Sequence, residues 1–176
     1  MIAALILGMG LTTTAVYITV AALVVPSLVK MGVEPIAAHL FAFYYGLVSA
    51  ITPPVALAAF AGAGIAGSNP MQTGFCSFRL GFAKYIIPIV FVYVPGMVLV
   101  GTPIDIIRYI ILAFFGIFSL TIVTEGWLYR RVNFIWRIVM IPISFMILMP
   151  QLSYNIVGMA LLAGFIALER WKAKKG

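Results

Sequence analysis

The sequence predicts an all-α integral membrane protein, and three observations carry that prediction. Of 176 residues, 64% are hydrophobic and 9% are charged, with a mean hydropathy of +1.18. A soluble domain is nearer half apolar and a quarter charged. Apolar runs recur along the chain, separated by short turns rich in Pro, Gly and Thr. The few charges are 11 Lys and Arg against 4 Asp and Glu. In a membrane protein such an excess reports orientation and not a nucleic-acid partner. Disorder, collagen, disulfide scaffolds and nucleic-acid modules are excluded by the same numbers. Cys76 is the one cysteine, so the chain has no internal disulfide and no cysteine-based metal site.

The elements follow in order. Residues 2–11 are apolar but short, and Thr12-Thr13-Thr14 interrupts them after Gly8 and Gly10. Residues 15–29 are apolar again, and 30–35 form a turn. Neither piece reaches the roughly 20 residues that a bilayer requires. They are expected to form a re-entrant helical hairpin, 2–30. Pro35 suits the first position of a helix, where its missing N–H costs nothing.

One helix over 36–67 would be roughly 48 Å long, more than the hydrocarbon core needs. The Thr52-Pro53-Pro54 run predicts a break instead, because a residue before proline is pushed out of α geometry. The carbonyls of Ser49 and Ala50 are expected to lose their helical partners there. Met71, Phe75, Phe78 and Phe82 fall on one helical stripe, so 71–82 is expected to lie as an amphipathic helix at the membrane surface. An apolar span over 85–101 follows. Thr102-Pro103-Ile104-Asp105 then reads as a helix start, with Thr102 as cap and Asp105 at the third position. Three further spans are expected at about 104–128, 134–150 and 154–169. The basic, aromatic tail 170–175 anchors at an interface. In all, the expected fold is a hairpin, a broken transmembrane helix, about four further transmembrane helices and one interfacial helix.

The tail's charge places the C-terminus in the cytoplasm. Counting back through the turns puts nine of the eleven basic residues inside, leaving only Lys30 and Arg108 outside.

Chemistry concentrates at two interruptions, the 8–14 tip and the 49–55 break. Half-helix ends at membrane depth offer N–H groups to anions and carbonyls to cations. Thr12, Thr13, Thr14, Ser49 and Thr52 add hydroxyl oxygens, and neutral oxygens of this kind suit Na⁺. A Pro-kinked helix beside a polar loop, with no ligand, fits the same residues. Glu125 lies within reach of Arg130 or Arg131, where a structural ion pair is preferred to a proton relay. His39 reads as a packed or snorkelling neutral side chain. Tyr44 and Tyr45 read as packing, Cys76 as inert, and the small residues of 56–67 as allowing close helix packing.

These residues resemble a known family. Leu7-Gly8-Met9-Gly10-Leu11-Thr12-Thr13-Thr14-Ala15, Gly32-Val33-Glu34-Pro35-Ile36-Ala37-Ala38-His39-Leu40-Phe41 and Ser49-Ala50-Ile51-Thr52-Pro53-Pro54-Val55-Ala56-Leu57-Ala58-Ala59 are similar to the large membrane domain of TRAP (tripartite ATP-independent periplasmic) transporters. The closest type is the fused permease that works with TAXI-type binding proteins. The family has proline at the position of Thr12. The resemblance implies a bacterial inner-membrane solute:sodium symporter of the elevator type, importing organic acids handed over by a periplasmic binding protein. It implies that residues 1–100 are the second repeat of the large domain and that 101–176 are a C-terminal membrane extension. It also implies that Gly8, Gly10, Thr12, Thr13, Thr14, Ser49, Thr52, Pro53 and Pro54 form one wall of the ion and substrate site. Na⁺ would sit at Thr12, Thr13, Ser49 and Thr52 as the coupling ion, with no other cofactor.

The chain opens directly into an apolar run, with no basic residue before Lys30. It is therefore expected to be the C-terminal part of a longer permease, unable to transport without the remaining half and the small membrane domain. A structural or assembly fragment, or a remnant of a split gene, is the alternative. An intramembrane enzyme is disfavoured: the sequence has no paired carboxylates, no metal-ligand cluster and no serine nucleophile motif.

Overall fold

Thr12 opens the first helix. Its backbone is extended and its Oγ1 accepts from the Ala15 N–H at 3.4 Å, so Thr13 and Thr14 join the first turn. The computed structural model describes residues 12–175. Helix α1 (Thr13–Lys30) and helix α2 (Pro35–Ser49) form an antiparallel pair across a short turn. At 18 residues, α1 is about 27 Å long, at the lower limit for crossing a bilayer. The expected half-depth arm is therefore longer than its apolar run, because the threonines are absorbed as cap and first turn. The other arm of the expected hairpin, 2–11, lies outside the described residues.

Val16, Val20 and Val25 of α1 pack against Ala38, Ala42 and Tyr45 of α2. Lipid is as apolar as these side chains, so close van der Waals fit holds such a pair together. Gly46 makes that fit possible: a Cβ there would lie 3.3 Å from Val16 Cγ1. Pro35 occupies the first turn of α2, as its sequence position predicts.

The broken helix is present. Helix α2 stops at Ser49 and α3 (Leu57–Ala66) resumes after a seven-residue gap. Helix α4 (Pro70–Leu80) starts from Asn69, whose side chain accepts from the Gln72 N–H at 3.1 Å. Helix α5 (Ala83–Tyr93) follows after Gly81, which leaves helical geometry at ψ 4, and Phe82. The expected surface helix and the span after it are thus two helices, with the turn between them at 81–82. Pro70–Tyr93 together is long and apolar enough to cross a membrane. The expected span 85–101 ends early: α5 stops at Tyr93 and a 3₁₀ turn (Pro95–Val98) follows, since Pro95 has no N–H to continue the helix. Met71 and Phe75 are exposed, whereas Phe78 meets the Tyr85 ring at 5.2 Å and the Phe82 ring at 6.4 Å between centroids. Tyr44 and Phe91 meet edge to face, 5.4 Å between centroids, and join α2 to α5.

Met1–Val98 and Leu99–Gly176 are two compact units. The second contains helix α6 (Pro103–Glu125), α7 (Phe134–Leu148) and α8 (Leu152–Lys175). The predicted start of α6 is a reciprocal cap. Thr102 Oγ1 accepts from the Asp105 N–H at 3.3 Å and donates to Asp105 Oδ2 at 2.7 Å. Helix α7 has 15 residues, shorter than the expected 134–150, because Met149 is extended ahead of Pro150. The three helices pack around Leu112, Ile122, Met140, Ile147, Leu162 and Phe165. Gly116 admits Leu148, and a Cβ there would lie 2.5 Å from Leu148 Cδ2. Ser144 Oγ and Ser119 Oγ, both fully buried, bond across α6 and α7 at 2.7 Å. The Asn155 amide donates to the carbonyls of Ile147 at 2.9 Å and Met149 at 2.7 Å, closing the α7–α8 turn.

Arg130 pairs with Glu169, a partner the sequence did not suggest. Its Nε donates to Glu169 Oε2 at 2.7 Å, from 39 positions away in sequence. The α7–α8 hairpin brings Glu169 back to the 126–133 loop, out of view of any local spacing rule. The Glu169 carboxylate holds the Arg130 guanidinium above its usual range. Arg137 caps α6, donating to the Val123 and Thr124 carbonyls at 2.7 and 3.0 Å. Among the described residues, four helical segments are long and apolar enough to cross a membrane: Thr13–Lys30, Pro70–Tyr93, Pro103–Glu125 and Leu152–Lys174.

Candidate functional site: the α2–α3 break

The last turn of α2 tightens before it breaks. The N–H groups of Ala50, Ile51 and Thr52 bond three residues back, to Leu47, Val48 and Ser49. Pro53 and Pro54 have no N–H to give. The peptide between them is cis. Ala56 turns left-handed at φ 33, and its N–H bonds the Thr52 carbonyl at 3.0 Å.

One bond then ties the two half-helices together. The Ala58 N–H donates to the Ala50 carbonyl at 3.0 Å. The carbonyls of Ser49 and Ala50 thus lose their helical partners, Pro53 and Pro54 standing four residues on, but they find others. Thr52 N–H caps Ser49, and the first turn of α3 swings back onto Ala50. The open groups lie one step later. Among the described residues, no N–H reaches the carbonyls of Ile51, Pro53, Pro54 or Val55, and the N–H groups of Leu57 and Ala59 find no acceptor.

The hydroxyls at the break are partnered. Ser49 Oγ is buried and donates to the Gly46 carbonyl at 2.6 Å. Thr52 Oγ1 donates to the Val48 carbonyl at 2.5 Å and lies 2.5 Å from Tyr85 Oη. A threonine has one hydroxyl proton, so Tyr85 is the donor in the second bond. Tyr45 Oη in turn donates to the Tyr85 carbonyl at 2.8 Å. Tyr85 thus holds the break from α5, and Tyr45 holds Tyr85 from α2.

Helices α4 and α5 back the break along one stripe. A Cβ at Gly74 would lie 3.2 Å from Phe60 Cε1, 3.4 Å from Pro53 Cγ and 3.6 Å from Ala56 Cβ. A Cβ at Gly81 would collide with Ile51 Cδ1. Gly74, Gly81 and Tyr85 stand at i, i+7 and i+11, the spacing of a single helix face. Sequence reasoning missed Gly74, Gly81 and Tyr85, and read Tyr45 as packing without its bond to Tyr85. The glycine spacing was the available signal, beside the more conspicuous phenylalanine stripe.

The structure brings Thr12, Thr13 and Thr14 to the same end of the α1–α2 pair as the break. Val16 lies about one turn after Thr12 and packs against Gly46, one turn before Ala50. Thr12, Thr13 and Thr14 are exposed, Thr52 and Pro53 half-buried and Pro54 exposed. Gly8 and Gly10 lie outside the described residues. His39 bonds Tyr17 Oη through Nδ1 at 2.9 Å, joining α2 to α1 away from the break. No cluster of His, Cys, Asp or Glu with metal-binding geometry occurs among the described residues.

The family model for the tripartite ATP-independent periplasmic transporter, DctM component, matches residues 1–106. The match takes in the α1–α2 pair, the break and its α4–α5 backing. No curated protein and no solved structure matches the chain. A multi-pass helical chain, with a broken helix at its centre and this family's signature over more than half its length, belongs to the DctM component of the TRAP transporters.

Proposed function

We propose that this permease component takes part in sodium-coupled import of organic acids across the bacterial inner membrane, its C-terminus in the cytoplasm. The α2–α3 break and the start of α1 form one wall of the transport site. The observation that carries this reading is the row of carbonyls at Ile51, Pro53, Pro54 and Val55, which no N–H of the described residues reaches, at the end of α2 that packs beside the start of α1. Carbonyl and hydroxyl oxygens without a fixed carboxylate suit a hard monovalent cation. The open N–H groups at the start of α3 suit the carboxylate of an organic acid. Thr12, Thr13, Ser49 and Thr52 flank that wall. Ser49 and Thr52 spend their protons on backbone carbonyls, which leaves oxygen lone pairs as their contribution. The other transporter components and a TAXI-type binding protein complete the system, and the wall moves with an elevator-type domain.

The test is uptake of a labelled dicarboxylate by liposomes containing the chain assembled with the other transporter components, with binding protein supplied outside. Uptake should follow an imposed Na⁺ gradient and not a K⁺ gradient. In detergent the same assembly should gain about 2.7 kcal/mol at Na⁺ near 100 times its Kd. Uptake driven by a proton gradient alone, with no Na⁺-specific stabilisation, overturns the sodium reading.

A further inference from the structure

Helix α8 has two faces that differ in what covers them. Leu162, Phe165 and Glu169 are buried against α6, α7 and the 126–133 loop. Glu169 is 3% exposed at its side chain and is shared by Arg130 at 2.7 Å and Lys172 at 4.0 Å. The other face carries Ala163, Ile166, Ala167, Arg170, Trp171 and Lys174, which line a groove of about 470 Å³. These positions follow i, i+3, i+4, i+7, i+8 and i+11, a single stripe roughly 16 Å long. The stripe is graded. Its first three residues are apolar, Arg170 and Trp171 stand at the boundary with Trp171 55% exposed, and Lys174 lies beyond them.

Arg170 and Lys174 join no ion pair among the described residues, the nearest carboxylate on α8 being already shared by two other cations. The helix is long and apolar enough to cross a membrane. Arg130 is tied to the same end through Glu169, Lys172 lies 5.9 Å from the Trp136 ring, and the Trp136 ring is 5.6 Å from that of Phe165. Basic and indole side chains at the end of a spanning helix mark the headgroup level of a bilayer. An apolar floor running into a two-cation rim matches one kind of molecule there, an acyl chain attached to a phosphate.

We propose that the Ala163–Lys174 face of α8 is a binding site for an anionic phospholipid. Arg170 and Lys174 take the headgroup phosphate, Trp171 lies along the glycerol region, and Ala163, Ile166 and Ala167 carry the upper acyl chain. The site belongs to the C-terminal unit and does not depend on the transport reading of the break.

Trp171 supplies the measurement. The full chain is reconstituted in phosphatidylcholine vesicles with a minor fraction of phosphatidylglycerol, either lipid being brominated on its acyl chains. Quenching of the Trp171 signal is taken as the difference between wild type and Trp171→Phe. Two basic side chains near a membrane surface predict a preference for the anionic lipid of about thirtyfold. Arg170→Gln/Lys174→Gln should bring that ratio close to one while the helix content stays unchanged. Ala167→Phe fills the floor without touching the charge, and should reduce quenching by both lipids. Equal quenching by both lipids in wild type overturns the proposal, as does a preference that survives loss of both cations. Quenching by neither lipid would show that protein covers the groove. Loss of the preference on adding soluble glycerol phosphate would show a site for a free anion. Either result overturns the lipid assignment.

Discussion

Thr52 and Tyr85 make a prediction that separates a structured break from a merely kinked one. Thr52→Val keeps shape but deletes the hydroxyl that bonds Val48 and receives Tyr85. The Tyr85 side chain is 8% exposed, so its phenol would lose its acceptor in a place that water scarcely reaches. Leaving a buried donor unpaired costs about 1–3 kcal/mol. Tyr85→Phe is milder, because Thr52 keeps its bond to Val48. Hydrogen bonds between membrane helices average about 0.6 kcal/mol in double-mutant cycles, and that is the expected loss. The double variant leaves no orphaned phenol, so it should cost less than the two singles together. Groups in contact couple by about 0.5–3 kcal/mol, and the lower half of that range is expected here. The assay is reversible unfolding of all four proteins in mixed micelles, with amide exchange at Ala58 as a local reporter. Additive single effects, within about 0.3 kcal/mol, would refute the claim that Tyr85 holds the break through Thr52.

Three further outcomes follow from the second unit and from α3. Arg130→Ala should destabilise more than Glu169→Gln: it leaves a carboxylate 3% exposed with only Lys172 at 4.0 Å, about 3–5 kcal/mol. The reverse change frees a half-exposed Arg130 to hydrate and should cost about 1–3 kcal/mol, and equal losses in thermal unfolding would contradict the asymmetry. Gly116→Ala should cost about 1–3 kcal/mol through its collision with Leu148, whereas Gly62→Ala, which meets nothing within 4 Å, should be neutral or gain up to about 1 kcal/mol. Thr102→Ala removes both bonds of the α6 cap and should lower stability by about 1 kcal/mol, with exchange rising first at the Asp105 amide.

What was legible in the sequence was whatever proline and capping chemistry impose locally. Thr52-Pro53-Pro54 announces a break because two residues without N–H groups cannot continue a ladder, and Thr102-Pro103-Ile104-Asp105 announces a helix start for the same kind of reason. Pairings across the fold were not legible. Tyr45 to Tyr85 spans 40 positions and Arg130 to Glu169 spans 39. Local spacing instead favoured Glu125, five positions from Arg130. The return of Ala58 onto Ala50 was hidden differently. Alanine carries no polar side chain to advertise it, and the bond depends on the left-handed turn at Ala56. The phenylalanine stripe of α4 was read correctly as a face, but its neighbour, marked only by missing side chains, is the one that packs on the break.

That glycine face gives the sharpest test of how the break is held. Gly74→Ala would place a methyl 3.2 Å from Phe60, 3.4 Å from Pro53 and 3.6 Å from Ala56. None of these is a severe overlap, but all three fall on the same side and two belong to a rigid ring or a backbone-proximal carbon. The Phe60 ring can turn, whereas Pro53 and Ala56 move only with the chain. The added methyl should therefore push α4 away from the break and weaken the Ala58–Ala50 bond behind it. Overpacking of this kind costs about 1–3 kcal/mol. If about 1–2 kcal/mol of that falls on the local opening, Ala58 exchange should accelerate by roughly 5- to 30-fold. Amides of α1 on the far side of α2 should be much less affected. An unchanged Ala58 rate, with the loss spread evenly over the unit, would mean that α4 and the break are not mechanically joined. Faster exchange confined to residues 56–60 would identify the glycine stripe as the surface against which the broken helix is set.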